Sequence, residues 1–124
     1  MSTYRVLLVA LAATLPASAI SVAHPPPNAD PALHEWFESL KQPHTGVGCC
    51  AESDCRILTN DQWRTTQNGY QIRVRRFWIN VPPDKILQHQ PNPTGSAVAC
   101  YREGYGPPTP AHIFIYCFVR STET

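Results

Sequence analysis

At 124 residues, with 13 prolines and five cysteines, the chain holds at most one small domain. Arg5 is the one basic residue before position 24; beyond it, nine Lys and Arg balance nine Asp and Glu. A balance near zero excludes nonspecific attraction to nucleic acid or to anionic membranes.

Residues 1–23 read as a secretory signal peptide. Arg5 and the amino terminus supply a positive start, Val6 to Leu15 is apolar except for Thr14, and Pro16 breaks the run before a stretch of small residues. Ala17-Ser18-Ala19 and Ser21-Val22-Ala23 both suit cleavage, leaving Ile20 or His24 as the first mature residue. The apolar run is ten residues long, whereas a spanning helix needs about 20, so no transmembrane segment is expected once the signal is removed. The expected location is the periplasm or the exterior.

His24 to Ala29 contains three consecutive prolines and reads as an extended lead-in. The single domain is expected over 30–124. Asp30 to Lys41 reads as a short helix, with Asp30 as its cap and Pro31 at the first helical position. Leu33, Trp36, Phe37 and Leu40 recur at helical spacing and form a stripe expected to bury against a sheet. Thr45 to Arg56 carries Cys49, Cys50 and Cys55 and reads as irregular. A hairpin is expected over Trp63 to Val74, turning at Asn68-Gly69. Tyr70, Ile72 and Val74 share one face of the return strand, and Phe77, Ile79 and Val81 continue the alternation. Arg75-Arg76 is either a turn or part of one bent strand. Asp84 to Gln88 reads as a helical turn, Asn92 to Gly95 as a turn, and Ala97 to Arg102 and His112 to Val119 as the last two strands. The expected fold is α+β, mostly β: a short N-terminal helix on a small antiparallel sheet or partly open barrel of about five strands, stapled by disulfides.

Five clustered cysteines in an exported domain suggest a disulfide framework with one thiol left over. Adjacent Cys49 and Cys50 suit different partners better than each other. A Cys100–Cys117 bridge would join strands that already pair. Bridges from the 49–55 segment close longer loops, which constrains the unfolded chain more. Cys100 and Cys117 are therefore each expected to bond one of Cys49, Cys50 and Cys55. The odd cysteine then stays free or links two chains into a homodimer.

The string Trp36-Phe37, Ser39-Leu40, Pro43, Thr45-Gly46, Cys49-Cys50 and Asp54-Cys55-Arg56 continues with Trp78, Val81-Pro82, Asn92 to Gly95, Cys100 and Cys117-Phe118. On these residues the chain resembles a group of small exported bacterial proteins of unknown function. The resemblance covers most of the mature chain and implies export and a shared fold, but no chemistry.

Two constellations outside the bridges could act. His44 with Cys49 and Cys50 offers imidazole and thiolate to copper or zinc. Arg73, Arg75 and Arg76 near Trp78 form a candidate ligand or anion surface. No Cys-x-x-Cys, Gly-x-Ser-x-Gly or His-Glu-x-x-His is present. The leading expectation is a non-enzymatic binding or envelope-associated module for a protein or small ligand, with no cofactor. The alternative is a copper, zinc or thiol-redox protein centred on Cys49, Cys50 and His44.

Overall fold

The computed structural model describes residues 30–122; the expected signal peptide and proline-rich lead-in lie outside them. A 3-10 turn at Pro31–Leu33 leads into helix α1, His34–Ser39. Asp30 caps the turn by accepting the Ala32 amide at 2.9 Å, so the sequence signals for the start hold, but the helical stretch is shorter than expected and split in two. Lys41 bridges Gly48 in antiparallel fashion and closes a small loop that contains His44 and Gly46, both with φ near +70°.

The segment read as irregular is ordered. It forms helix α2, Cys49–Glu52, and strand β1, Asp54–Ile57. With β2 (Trp63–Thr66), β3 (Gly69–Val74), β4 (Phe77–Asn80), β5 (Val98–Glu103) and β6 (Ile113–Val119), the described residues make two three-stranded antiparallel sheets ordered β1-β5-β6 and β2-β3-β4. There are thus six strands and no closed barrel. The extra strand went unseen because β1 is four residues long and borrows its pairing from β5, far away in sequence.

Two turns differ in detail from expectation. Thr66 pairs with Gly69, so the tight loop is Gln67-Asn68, one residue earlier than read, and Gly69 opens β3 with φ +152°. Arg75-Arg76 proves to be a two-residue turn, since Val74 pairs with Phe77 and Arg75 takes φ +56°. The helical turn expected at Asp84 to Gln88 is a 3-10 turn at Pro83–Lys85.

Alternation along β5 divides the core. Ala99 and Tyr101 pack with Leu58, Ile72, Val74, Ile79, Val81, Ile115 and Phe118, between the two sheets. Val98 and Cys100 face the other way, toward Phe37, Leu40, Cys49, Cys50 and Cys117. The β1-β5-β6 sheet is therefore a middle layer, with helices on one face and the second sheet on the other. Phe37 and Leu40 are fully buried in the helical interface, as the stripe requires. Trp36 departs from expectation: it is only partly buried, and its indole N–H donates to the Pro91 carbonyl at 2.7 Å, tying α1 to the loop before β5. Buried Asn92 fixes that loop by donating to the carbonyls of Ser96 and Arg120 and accepting from Thr94. No helix of the described residues is long and apolar enough to cross a membrane.

Candidate functional site

Cys55, Cys100 and Cys117 stand in register across β1, β5 and β6. Strict alternation would put Cys117 on the same face as Ile115, the wrong one for Cys100. A bulge prevents this: Cys100 pairs with Cys117 while Tyr101 pairs with Ile115, leaving Tyr116 as the extra residue. One inserted residue reverses the facing of all that follows, and Cys117 joins Cys100 on the helical side. All five sulfurs consequently lie in one layer between the helices and the sheet.

In that layer Cys49 bonds Cys117 and Cys55 bonds Cys100. Each of the two late cysteines thus has a partner from the early cluster, and no Cys100–Cys117 bridge forms. Cys50 is the free cysteine and is buried, with 7% of its surface exposed. Its thiol donates to the Phe37 carbonyl, with sulfur and oxygen 3.6 Å apart. Burial, followed by the negative charges of Asp54 and Glu38, pushes its pKa up to about 11. The sulfurs of Cys50, Cys55 and Cys100 all lie within 4.8 Å of one another. Sequence spacing could not reveal this trio, because Cys100 reaches it only through the β1–β5 register. A homodimer linked through Cys50 would require the helical layer to lift, since the residue is buried.

The structure does not assemble His44, Cys49 and Cys50 into a metal site. The Cys49 sulfur is committed to Cys117, and His44 is exposed in the loop between α1 and α2. The copper or zinc expectation centred there loses two of its three ligands. Among the other described histidines, His34 lies 4.0 Å from Glu38 on α1, the His112 ring contacts the Pro107 carbonyl at 2.8 Å, and His89 is exposed in the loop before β5.

The expected arginine surface divides as well. Arg75 makes a two-point contact with Glu103 on the neighbouring sheet, at 2.7 and 3.1 Å. This pair raises the Arg75 pKa and holds the Glu103 carboxyl below its usual range, in both cases chiefly through the hydrogen bond. Arg76 lies over Phe77, 5.1 Å from the ring centre. Arg73 remains with Trp78, directly across the β3–β4 ladder. The missing member is Arg64, whose guanidinium sits 4.0 Å above the Trp78 ring and donates from Nε to Gln71 at 2.7 Å. Gln71 in turn donates to Asn80, also at 2.7 Å. The outward face of the second sheet therefore carries Arg64, Arg73, Trp78, Gln71 and Asn80. Arg64 was legible in principle: with the hairpin loop at Gln67-Asn68, it falls opposite Gln71 and on the same face as Arg73. Gln71 and Asn80 also border a concavity of about 360 Å³ beside the β2–β3 turn.

Compared with protein-family models, curated proteins and solved structures, the chain matches none of them.

Proposed function

We propose that the chain is an exported, non-enzymatic binding module that holds carboxylate groups of a ligand on the outward face of the β2-β3-β4 sheet. The observation that carries this reading is the stack of Arg64 on Trp78, with Arg73 directly across the ladder from the tryptophan. An arginine held by an aromatic ring and a neighbouring amide loses little rotamer freedom on binding, and its fork matches a carboxylate. The Trp78 ring and Gln71 hold Arg64 in place, which makes it the principal cation of this reading. Export is supported by the N-terminal apolar run and by two disulfides, which persist in oxidising compartments.

The test is titration of the oxidised protein with oligogalacturonate and with polyglutamate, followed through tryptophan fluorescence and repeated with Trp78→Phe to assign the signal. Binding of either, weakened about tenfold or more in Arg64→Ala, is the expected result, and which polyanion binds separates a saccharide from a peptide source. Absence of binding to both, or binding that Arg64→Ala leaves unchanged, contradicts the reading. A thiol protein is a second reading, favoured by one specific observation: the free Cys50 sulfur lies beside the Cys55–Cys100 disulfide.

A further inference from the structure

The sulfur layer holds two bridges and one spare thiol, and their placement is not equivalent. Cys49 and Cys50 are consecutive on α2, so their side chains leave the helix about 100° apart and reach different partners. Cys49 fastens α2 to β6 through Cys117. That anchor does not involve β1 or β5, and it keeps Cys50 against the second bridge whatever that bridge does.

We propose that Cys50 exchanges with the Cys55–Cys100 disulfide, so that the protein has two disulfide isomers of one oxidation state. The Cys50 sulfur, having lost its proton, attacks the Cys100 sulfur. A Cys50–Cys100 bond forms as the Cys55–Cys100 bond breaks, and the electron pair leaves on the Cys55 sulfur, which takes up a proton. One disulfide is lost and one gained, so the step uses no outside oxidant or reductant.

Both sulfurs of the bridge are within reach, and the two attacks leave the fold differently cross-linked. Attack on Cys55 would leave a Cys50–Cys55 bridge around a loop of only a few residues. Attack on Cys100 leaves a loop five residues longer than the existing one, whose separation is 45. On the chain-entropy relation a Cys50–Cys100 bridge constrains the unfolded chain about as much as the starting bridge, whereas a Cys50–Cys55 bridge constrains it far less, so attack on Cys100 is the exchange that preserves the stability of the fold. The exchange moves the staple from β1–β5 to α2–β5. Strand β1, at the edge of its sheet, then loses its covalent tie and keeps its backbone pairing and the contact of Arg56 with Tyr101.

The groups facing Cys50 set the pace. Glu38 from α1 and Asp54 from β1 both act on it as negative charges, and the Phe37 carbonyl accepts its proton. These neighbours hold the thiol protonated near neutrality, and the attacking species is the thiolate. The rate therefore rises about tenfold per pH unit below the thiol pKa.

The test uses the full oxidised mature chain, incubated natively at pH 7 and pH 9, quenched in acid, unfolded and labelled with a thiol reagent, then cleaved after Glu52. That cut separates Cys49 and Cys50 from Cys55. At the start the label is expected on the piece bearing Cys50. With time it appears on Cys55, together with a Cys50–Cys100 linkage, about a hundredfold faster at pH 9 than at pH 7. Cys50→Ser should leave Cys55 unlabelled throughout; if that variant fails to fold, the labelling of the wild-type chain decides alone. A label that stays on Cys50 at both pH values, or that moves only after denaturation, overturns the proposal. A label on Cys100 instead of Cys55 overturns the choice of attacked sulfur.

Discussion

The two sheets of this protein are of equal strand number but are held together differently. The β1-β5-β6 sheet is covered on both faces and carries both disulfides. The β2-β3-β4 sheet has no cysteine, connects its strands by two-residue turns and leaves its outer face to Arg64, Arg73 and Trp78. Local hairpins need no covalent help, because neighbouring strands find each other over short loops. In the middle sheet β1 pairs with β5 across some 45 residues, and there a cross-link has much unfolded-state freedom to remove. Stability is thus concentrated in one sheet, and the exposed polar chemistry is displayed on the other.

Removing the bridges should break this contrast most strongly. On the chain-entropy relation, Cys49–Cys117 and Cys55–Cys100, with separations of 68 and 45, each stabilise the fold by about 4 kcal/mol. Replacing Cys49 and Cys117 by Ser should therefore lower the urea midpoint sharply. Hydrogen exchange should show β1 and the helices losing protection before β3. Simultaneous loss of protection in both sheets would mean that they unfold as one unit.

Packing substitutions sharpen the comparison next. Phe37→Ala opens a cavity against the sulfur layer and should cost about 3–5 kcal/mol. Ile72→Ala does the same between the sheets, at about 2–5 kcal/mol. Trp36→Ala should cost less, about 1–3 kcal/mol, because the side chain is already partly in water and the main loss is its bond to Pro91. Denaturant titration of the three variants gives the order, and a Trp36 cost equal to that of Phe37 would place the indole deeper than the structure has it.

Cys50 gives the stapled half a pH dependence. Its thiol pKa is raised from 9.0 to about 11 in the fold, so the folded chain keeps a proton that the unfolded chain gives up. The contribution is present below about pH 9 and is lost as pH rises toward 11, by at most about 3 kcal/mol. Unfolding between pH 8 and 11 should show this decline, and Cys50→Ala should flatten it.

Glu103 works in the opposite direction and more weakly. Arg75 lowers its carboxyl pKa, so the stabilisation is present above the usual carboxylate range and fades as pH falls. Both groups are exposed, and Glu103→Gln should cost under about 1 kcal/mol in a neutral-pH melt.

Much of the second sheet was legible because its information is local. Tyr70, Ile72 and Val74 alternate, and Arg75-Arg76 sits at a place where two strands must reverse. The one-residue shift of the first turn shows the limit: Asn68-Gly69 is a strong turn pair by composition, yet Gly69 enters the ladder opposite Thr66. In the stapled half, loop entropy pointed to bonds between the early cysteines and Cys100 and Cys117. Which early cysteine took which partner was not legible. It depends on the bulge at Tyr116, which no local pattern announces, and on α2, whose four residues carry too little periodicity to read. The trio of Cys50, Cys55 and Cys100 is invisible in sequence for the same reason. Arg64 was overlooked because its role depends on the hairpin register rather than on a run of basic residues.

The most direct test of the division between a stapled and an unstapled sheet is the disulfide map of the native protein, acid-quenched at pH 6 or below and cleaved after Glu52 without reduction. The expected result is Cys49 linked to Cys117, Cys100 linked to Cys55 or, in the exchanged isomer, to Cys50, and a monomer whose one free thiol takes a label only after unfolding. A Cys100–Cys117 bridge, or a dimer joined through Cys50, would contradict it.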